Sequence, residues 1–416
     1  HPPPPPQTHT LYSSSAASDV YKRQRVERAK QCLERHELDA MLLFAPTSWH
    51  YYAGFTDAAQ MHNEVWRSAL IVPRDGDPVA VAHAAFQASI ATMSYVEDVR
   101  LWTQIETPIN RDEPCAFYEL FFDTIHDLGL SGGMLGIETG TEIDTYLSFD
   151  EFERIRRSLP EARIVSADPA IWAQRMIKTP WEQDVIREGV RRSCECVRAG
   201  FETLHPGANE LEVHRAFWTK AAELDMIGAP YWGTWTCFTT NAREPMGFHR
   251  WITGPVDRVI EDGDVGISDG GPAYKGYQFD FQRNFCVGTP PEKLLRYHEI
   301  ATEAHLETIA QMKPGVRFDH VWDASLDALR RRGYDRPHFI SFIGHQEGLN
   351  HHEPPWVTAT EETQLQPGMV VAIEIGAMDP EFEVFGAMPE DLVLITETGH
   401  ENLTAPHLPH DLWIAR

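Results

Sequence analysis

Asp269 and Asp280 stand either side of a turn in residues 263–285. With that turn centred between Tyr274 and Lys275, cross-strand partners have positions summing to 549. The two carboxylates then face each other with Cβ atoms about 5 Å apart. Like charges so placed repel, and a divalent cation is the simplest compensation, because each carboxylate becomes a ligand. The alternative is that one aspartate pairs with Arg283 or caps a turn. Residues 344–355 add His345, His351 and His352 within a glycine- and proline-rich loop. Two apolar strands, 369–377 and 391–395, complete the set, with Glu374 in the middle of the first and Glu390 at the head of the second. A carboxylate inside an apolar strand is costly unless it is paired or bound to metal.

Regular elements must hold these groups in place. Hydrophobic periodicity predicts strands at 40–44, 68–72, 79–82, 99–105, 134–137 and 162–165, and helices at 115–128 and 149–159. Such a mixture makes an α/β domain over residues 25–166. A boundary follows near 168–173. Thr179-Pro180 then has the form of a helix start, with Glu182 in the first turn, and Pro206-Gly207 ends that helix before Asn209 opens another. Further helices are expected at 292–312 and 318–332.

The chain has 416 residues, 42% hydrophobic and 24% charged, enough for two or three domains with ordinary cores. Its formal charge is −26, and Lys22, Lys30, Lys178, Lys220, Lys275, Lys293 and Lys313 are its only lysines. That surface repels phosphate backbones and anionic lipid, which speaks against nucleic-acid and membrane partners. No run approaches the roughly 20 apolar residues of a membrane span. The six cysteines are scattered; Cys194 and Cys196, two apart on a helix, point away from each other and cannot chelate. All six are read as reduced thiols of a cytosolic protein. Residues 1–24, a proline run followed by a serine/alanine stretch, resemble in part a translated sequencing adapter and are read as an artefactual or disordered leader.

Taken together, these residues resemble the creatinase/prolidase/methionine-aminopeptidase family of metallopeptidases. The resemblance implies a creatinase-type α/β amino-terminal domain at 25–166 and an α+β pita-bread catalytic domain at 167–416. It also implies two divalent metal ions. Asp269 stands at the family's D-x-G element, Asp280 at D-x-T-R, His345 at G-H-G-I-G-L, and Glu374 and Glu390 on the last two strands. His352, in the H-E-x-P element, and His249 carry over as histidines facing substrate. By resemblance, a hydroxide bridging the two ions attacks an amide carbonyl, and Glu374 passes the proton to the leaving amine. Oxygen and nitrogen ligands suit manganese, cobalt, iron or zinc without choosing among them; manganese is the first expectation. Xaa-Pro peptides or similar small amides are the implied substrates, and a cytoplasmic homodimer the implied state.

Departures from the pattern are Gln346-Glu347 after the histidine and Gln282 and Asn284 around Arg283. Glu347 either reads a cationic substrate or faces solvent, the second being preferred, and the role of His351 stays open. Trp232, Trp235, Phe238 and Trp251 cluster around His249 as core packing or as an aromatic wall for proline or a cation. Dimethylsulfoniopropionate lyases of the same family, which release dimethyl sulfide and acrylate, are the runner-up. They carry aspartates where this chain has His351 and Gly271. A non-catalytic binding module of the same fold is the third reading.

Overall fold

The computed structural model describes residues 16–55, 66–103, 116–140, 143, 145–226, 237–240, 255–338, 340–379 and 386–416. The chain divides into two compact units, His1–Arg175 and Met176–Arg416.

The first unit is α/β, as the periodicity predicts. Its six strands are β1 (Ala40–Leu43), β2 (Ala69–Pro73), β3 (Val79–His83), β4 (Asp98–Trp102), β5 (Met134–Ile137) and β6 (Arg163–Ser166). They form one sheet in the order β4-β3-β2-β1-β5-β6. The pairs β1/β2 and β2/β3 are antiparallel, while β3/β4, β1/β5 and β5/β6 are parallel. Helices Ala116–Asp127 and Phe149–Ser158 pack their apolar stripes on it through Phe117, Phe121, Ile125 and Ile155. The helix Ala16–Arg35 runs through position 24, and it buries Val26, Ala29, Cys32 and Leu33. Helix Asp168–Arg175 closes the unit.

One buried group gives this unit a pH dependence. Glu138 accepts hydrogen bonds from the backbone N–H of Phe44 and Ala45 (2.7 and 2.8 Å) and from Ser48 Oγ (2.5 Å). Burial nevertheless outweighs these donors and pushes its carboxyl up to about 7. A raised carboxyl stabilises the fold fully below its unfolded value near 4.5, and that contribution fades as pH rises through 7. The loss amounts to about 3 kcal/mol. Glu138→Gln, whose amide can still accept from the two N–H groups and meet Ser48, is expected to flatten that slope in urea unfolding between pH 4.5 and 8.

The second unit is α+β. Two four-stranded sheets carry it, β10-β11-β12-β13 and β14-β9-β8-β7. The strands are β7 (Cys237–Thr240), β8 (Val265–Asp269), β9 (Gln282–Val287), β10 (Gly344–Gln346), β11 (Val370–Glu374), β12 (Glu390–Ile395), β13 (His400–Asn402) and β14 (Trp413–Ala415). All pairings are antiparallel except β14/β9. The helix Pro180–Phe201 starts where Thr179-Pro180 predicts. Thr179 Oγ1 accepts from the Glu182 N–H, and the Glu182 carboxylate accepts from the Thr179 N–H. Asn209 and Glu212 repeat the device at Glu210–Glu223. The helices Glu292–Ile309 and Phe318–Arg331 pack on β11 and β12 through Ala301, Ala304, Val321 and Leu329.

Among the described residues, no helix is long and apolar enough to cross a membrane. Cys32, Cys194, Cys196 and Cys286 are buried free thiols.

Candidate metal centre

The hairpin register differs from the expected one. Asp269 pairs with Gln282 and Ser268 with Arg283, so partner positions sum to 551 rather than 549. Lys275 and Gly276 take φ of 50° and 86°, so the turn centres between them, one residue later than expected. Two consecutive positive φ values are what a tight two-residue hairpin requires, and Gly276 supplies the second at little cost. Asp280 therefore lies two residues before β9, and Asp269 closes β8. The shift is even, so the side-chain alternation of the hairpin is kept.

The other candidates come from the neighbouring sheet. His345 is not in a loop: it is the middle residue of β10, opposite Ala372 of β11. Its neighbour Gly344 lets the strands approach so closely that a Cβ there would stand 2.1 Å from the Ala372 carbonyl oxygen. Glu374 ends β11 instead of sitting mid-strand, and its direct cross-strand partner is Glu390, the first residue of β12. Two glutamates facing each other across a ladder repel. His249, Trp232, Trp235 and Trp251 lie outside the described residues.

The structure brings the remaining candidates together. Ligand atoms of Asp280, His345 and Glu390 lie within 4.8 Å of one another, and all three residues are buried. His345 Nε2 is 3.6 Å from Asp280 Oδ2 and 3.9 Å from Glu390 Oε1. His352 Nε2 lies 3.6 Å from Asp280 Oδ2, with its side chain 43% exposed. Asp269 and Asp280 are close enough to raise the carboxyl of Glu374.

Electrostatics shows the cost of this arrangement. Burial pushes the Glu374 carboxyl well above the usual range, and the charges of Asp280 and Asp269 push it further. Glu390 is raised in the same way, by burial and then by Asp280 and Glu374. Burial also acts on Asp280, but the attraction of His351, its contact at 2.8 Å and the nearby imidazoles of His345 and His352 overcome it and hold the carboxyl low. Burial keeps the His345 imidazole neutral. Divalent cations would reverse the balance for the glutamates, since a bound ion favours every charged ligand around it.

The donor set fits such ions. Asp280 Oδ1, His345 Nε2 and Glu390 Oε1 are buried without any hydrogen-bond partner. His345 Nδ1 lies 3.0 Å from the Gln346 carbonyl, which can only accept, so the proton sits on Nδ1 and the lone pair on Nε2. Among the described residues, no arginine forms an ion pair with Asp280. Arg283 gives one nitrogen to Asp391 Oδ1 (2.7 Å) and another to the carbonyls of Glu390 (2.7 Å) and Gln282 (2.8 Å). The third reaches the carbonyls of Leu408 and Pro409.

Sequence reasoning missed three features around the cluster. Asp391 Oδ2 accepts from His305 (3.0 Å), His410 (2.7 Å) and Asn402 (2.6 Å), so with Arg283 it ties the base of β12 to β9. The signal was the second acid of the Glu390-Asp391 doublet opening an otherwise apolar strand. Glu347, read as facing solvent, is fully buried and its carboxylate oxygens have no hydrogen-bond partner. Its N–H bonds the Val370 carbonyl, which carries it inward beside β11. Lys178 is also buried: its ammonium lies 3.3 Å from both Glu353 Oε2 and Gln346 Oε1.

Buried carboxylates and an imidazole with free ligand atoms, rimmed by further histidines on an α+β frame, are the equipment of a metal-dependent hydrolase of the metallopeptidase type. Comparison with known proteins agrees with that class. Residues 184–397 match metallopeptidase family M24, and residues 25–177 match the creatinase/prolidase N-terminal domain. The chain belongs to the M24 family. The Xaa-Pro dipeptidase of Pyrococcus furiosus is 27% identical over 388 residues, covering 92% of this chain and 98% of that protein. The Xaa-Pro dipeptidase of Pyrococcus horikoshii is 30% identical over 264 residues, 63% of this chain and 72% of that one. A solved Xaa-Pro dipeptidase from Bacillus anthracis superposes with a TM-score of 0.77 at 22% identity, covering 94% of this chain and 99% of that chain, and shares the two-domain fold.

Proposed function

We propose that this enzyme is a dinuclear metallopeptidase that cleaves Xaa-Pro peptides, with Asp269, Asp280, His345, Glu374 and Glu390 holding two divalent ions. One observation carries the reading: ligand atoms of Asp280, His345 and Glu390, far apart in the sequence, converge within 4.8 Å, and Asp280 Oδ1, His345 Nε2 and Glu390 Oε1 are buried with no hydrogen-bond partner. Manganese is the preferred ion, and a cytoplasmic homodimer the preferred state.

The bound ions would lower the pKa of a water and polarise the scissile carbonyl. The chain's own residues do the rest. Asp280, Glu374 and Glu390 supply negative charge from a site that excludes bulk water, which strengthens every interaction with a cation there. His352, exposed on the rim beside Asp280, meets the substrate and stabilises negative charge developing on the carbonyl oxygen. Glu374 takes the proton of the attacking water and delivers it to the leaving imino nitrogen. His249 is assigned to the substrate face on its sequence context alone.

The lyase reading gains no support from these relatives, and the site speaks against it. His351 and Gly271 stand where those lyases carry aspartates.

The test is hydrolysis of Xaa-Pro dipeptides and longer Xaa-Pro peptides by manganese-reconstituted protein, with and without a chelator. Proline release that the chelator abolishes is the expected result. A fully metallated enzyme that leaves every Xaa-Pro peptide intact would refute the substrate assignment.

A further inference from the structure

His351 makes the shortest side-chain contact recorded for Asp280. Its Nε2 lies 2.8 Å from Asp280 Oδ2, whereas His345 and His352 stand at 3.6 Å from the same oxygen. Carboxylate oxygens only accept when ionised, so this contact requires His351 to donate its Nε2–H. We propose that His351 is a positioning residue: by donating to Oδ2 it fixes the rotation of the Asp280 carboxylate and so raises the affinity of the centre for divalent cations. The inference rests on the assignment of Asp280 as a ligand.

Three observations support it. First, the hydrogen bond leaves the ligand capacity of Asp280 intact. Each carboxylate oxygen has two lone pairs, so one remains on Oδ2 and both on Oδ1, which is buried and partnerless. Second, Asp280 needs an external brace. It lies outside the strand ladder, two residues before β9, while Asp269, His345, Glu374 and Glu390 are all fixed in strands. Third, His351 is itself held. Its ring packs on His352 with centroids 4.7 Å apart, and His352 packs on Trp356 at 5.2 Å and on His345 at 4.3 Å. The brace therefore joins Asp280 to the same segment that carries the rim histidine. Carboxylate ligands are commonly oriented by such hydrogen bonds, and losing one weakens metal binding by roughly ten- to a hundredfold.

The experiment measures manganese binding to metal-free full-length protein by calorimetry, giving affinity and number of ions per chain, for wild type, His351→Ala and His351→Gln. The side chain is largely but not completely buried, at 15% exposure. Circular dichroism therefore checks first that each variant is folded. His351→Ala is expected to bind about ten- to a hundredfold more weakly with the same number of ions. His351→Gln, whose amide N–H can reach Oδ2, is expected to recover most of that loss. Unchanged affinity in a folded His351→Ala protein overturns the proposal, as does a glutamine variant no better than alanine. A lost ion per chain also overturns it, because His351 would then be a ligand. Failure of wild type to take up any divalent cation would instead sink the metal-centre assignment itself.

Discussion

Asp280→Ala is expected to abolish divalent-metal uptake and peptidase activity together. Asp280 Oδ1 is one of the three partnerless ligand atoms, and its other oxygen is the meeting point of three imidazoles. Removing the carboxylate takes a ligand from the cluster. It also leaves His345, His351 and His352 without the negative charge that gathers them. Calorimetric titration with manganese and proline release from an Xaa-Pro dipeptide are the two readouts. Loss of activity with normal metal binding would make Asp280 a substrate group, and full activity would move the reaction elsewhere.

The largest stability effect is expected at Lys178. Its ammonium and the Glu353 carboxylate are both about 1% exposed and 3.3 Å apart. Lys178→Met removes one charge and leaves the other in a place water does not reach. Glu353 still accepts from the N–H groups of Leu349 and Asn350, at 3.0 and 3.3 Å, but these carry no net charge. Breaking a buried pair from one side costs about 3–5 kcal/mol. In a unit of this size that lowers Tm by roughly 6–20 °C. The double variant Lys178→Met with Glu353→Gln should regain a large part of the loss, because both members of the buried pair are then neutral. Thermal unfolding of the three proteins checks this, and equal melting of wild type and Lys178→Met would contradict it.

The first unit was legible almost strand by strand because its signals are local. Met134–Ile137 is an apolar run between turns, and Phe149–Ser158 is an amphipathic helix with a serine cap. The five candidate ligands were legible for a different reason: four acids and an imidazole set within apolar or glycine-rich segments stand out against their surroundings. The register between Asp269 and Asp280 was not. A lysine is an unfavourable residue for positive φ, so nothing in the sequence marks Lys275 as the first turn residue. Nor does local sequence reveal that Lys178 meets a carboxylate 175 positions away, or that Glu347 is carried under β11. Charged side chains are usually solvated, and only the assembled sheets exclude water from these two.

Glu374 and Glu390 belong to adjacent strands and face each other. Whatever occupies the space they share therefore acts on the architecture as well as on the reaction. An ion held between them, as proposed, would clasp the two strands, and its binding free energy would then enter the folding equilibrium directly. On that proposal, the supply of metal would set the stability of each copy of the enzyme in addition to its rate of turnover.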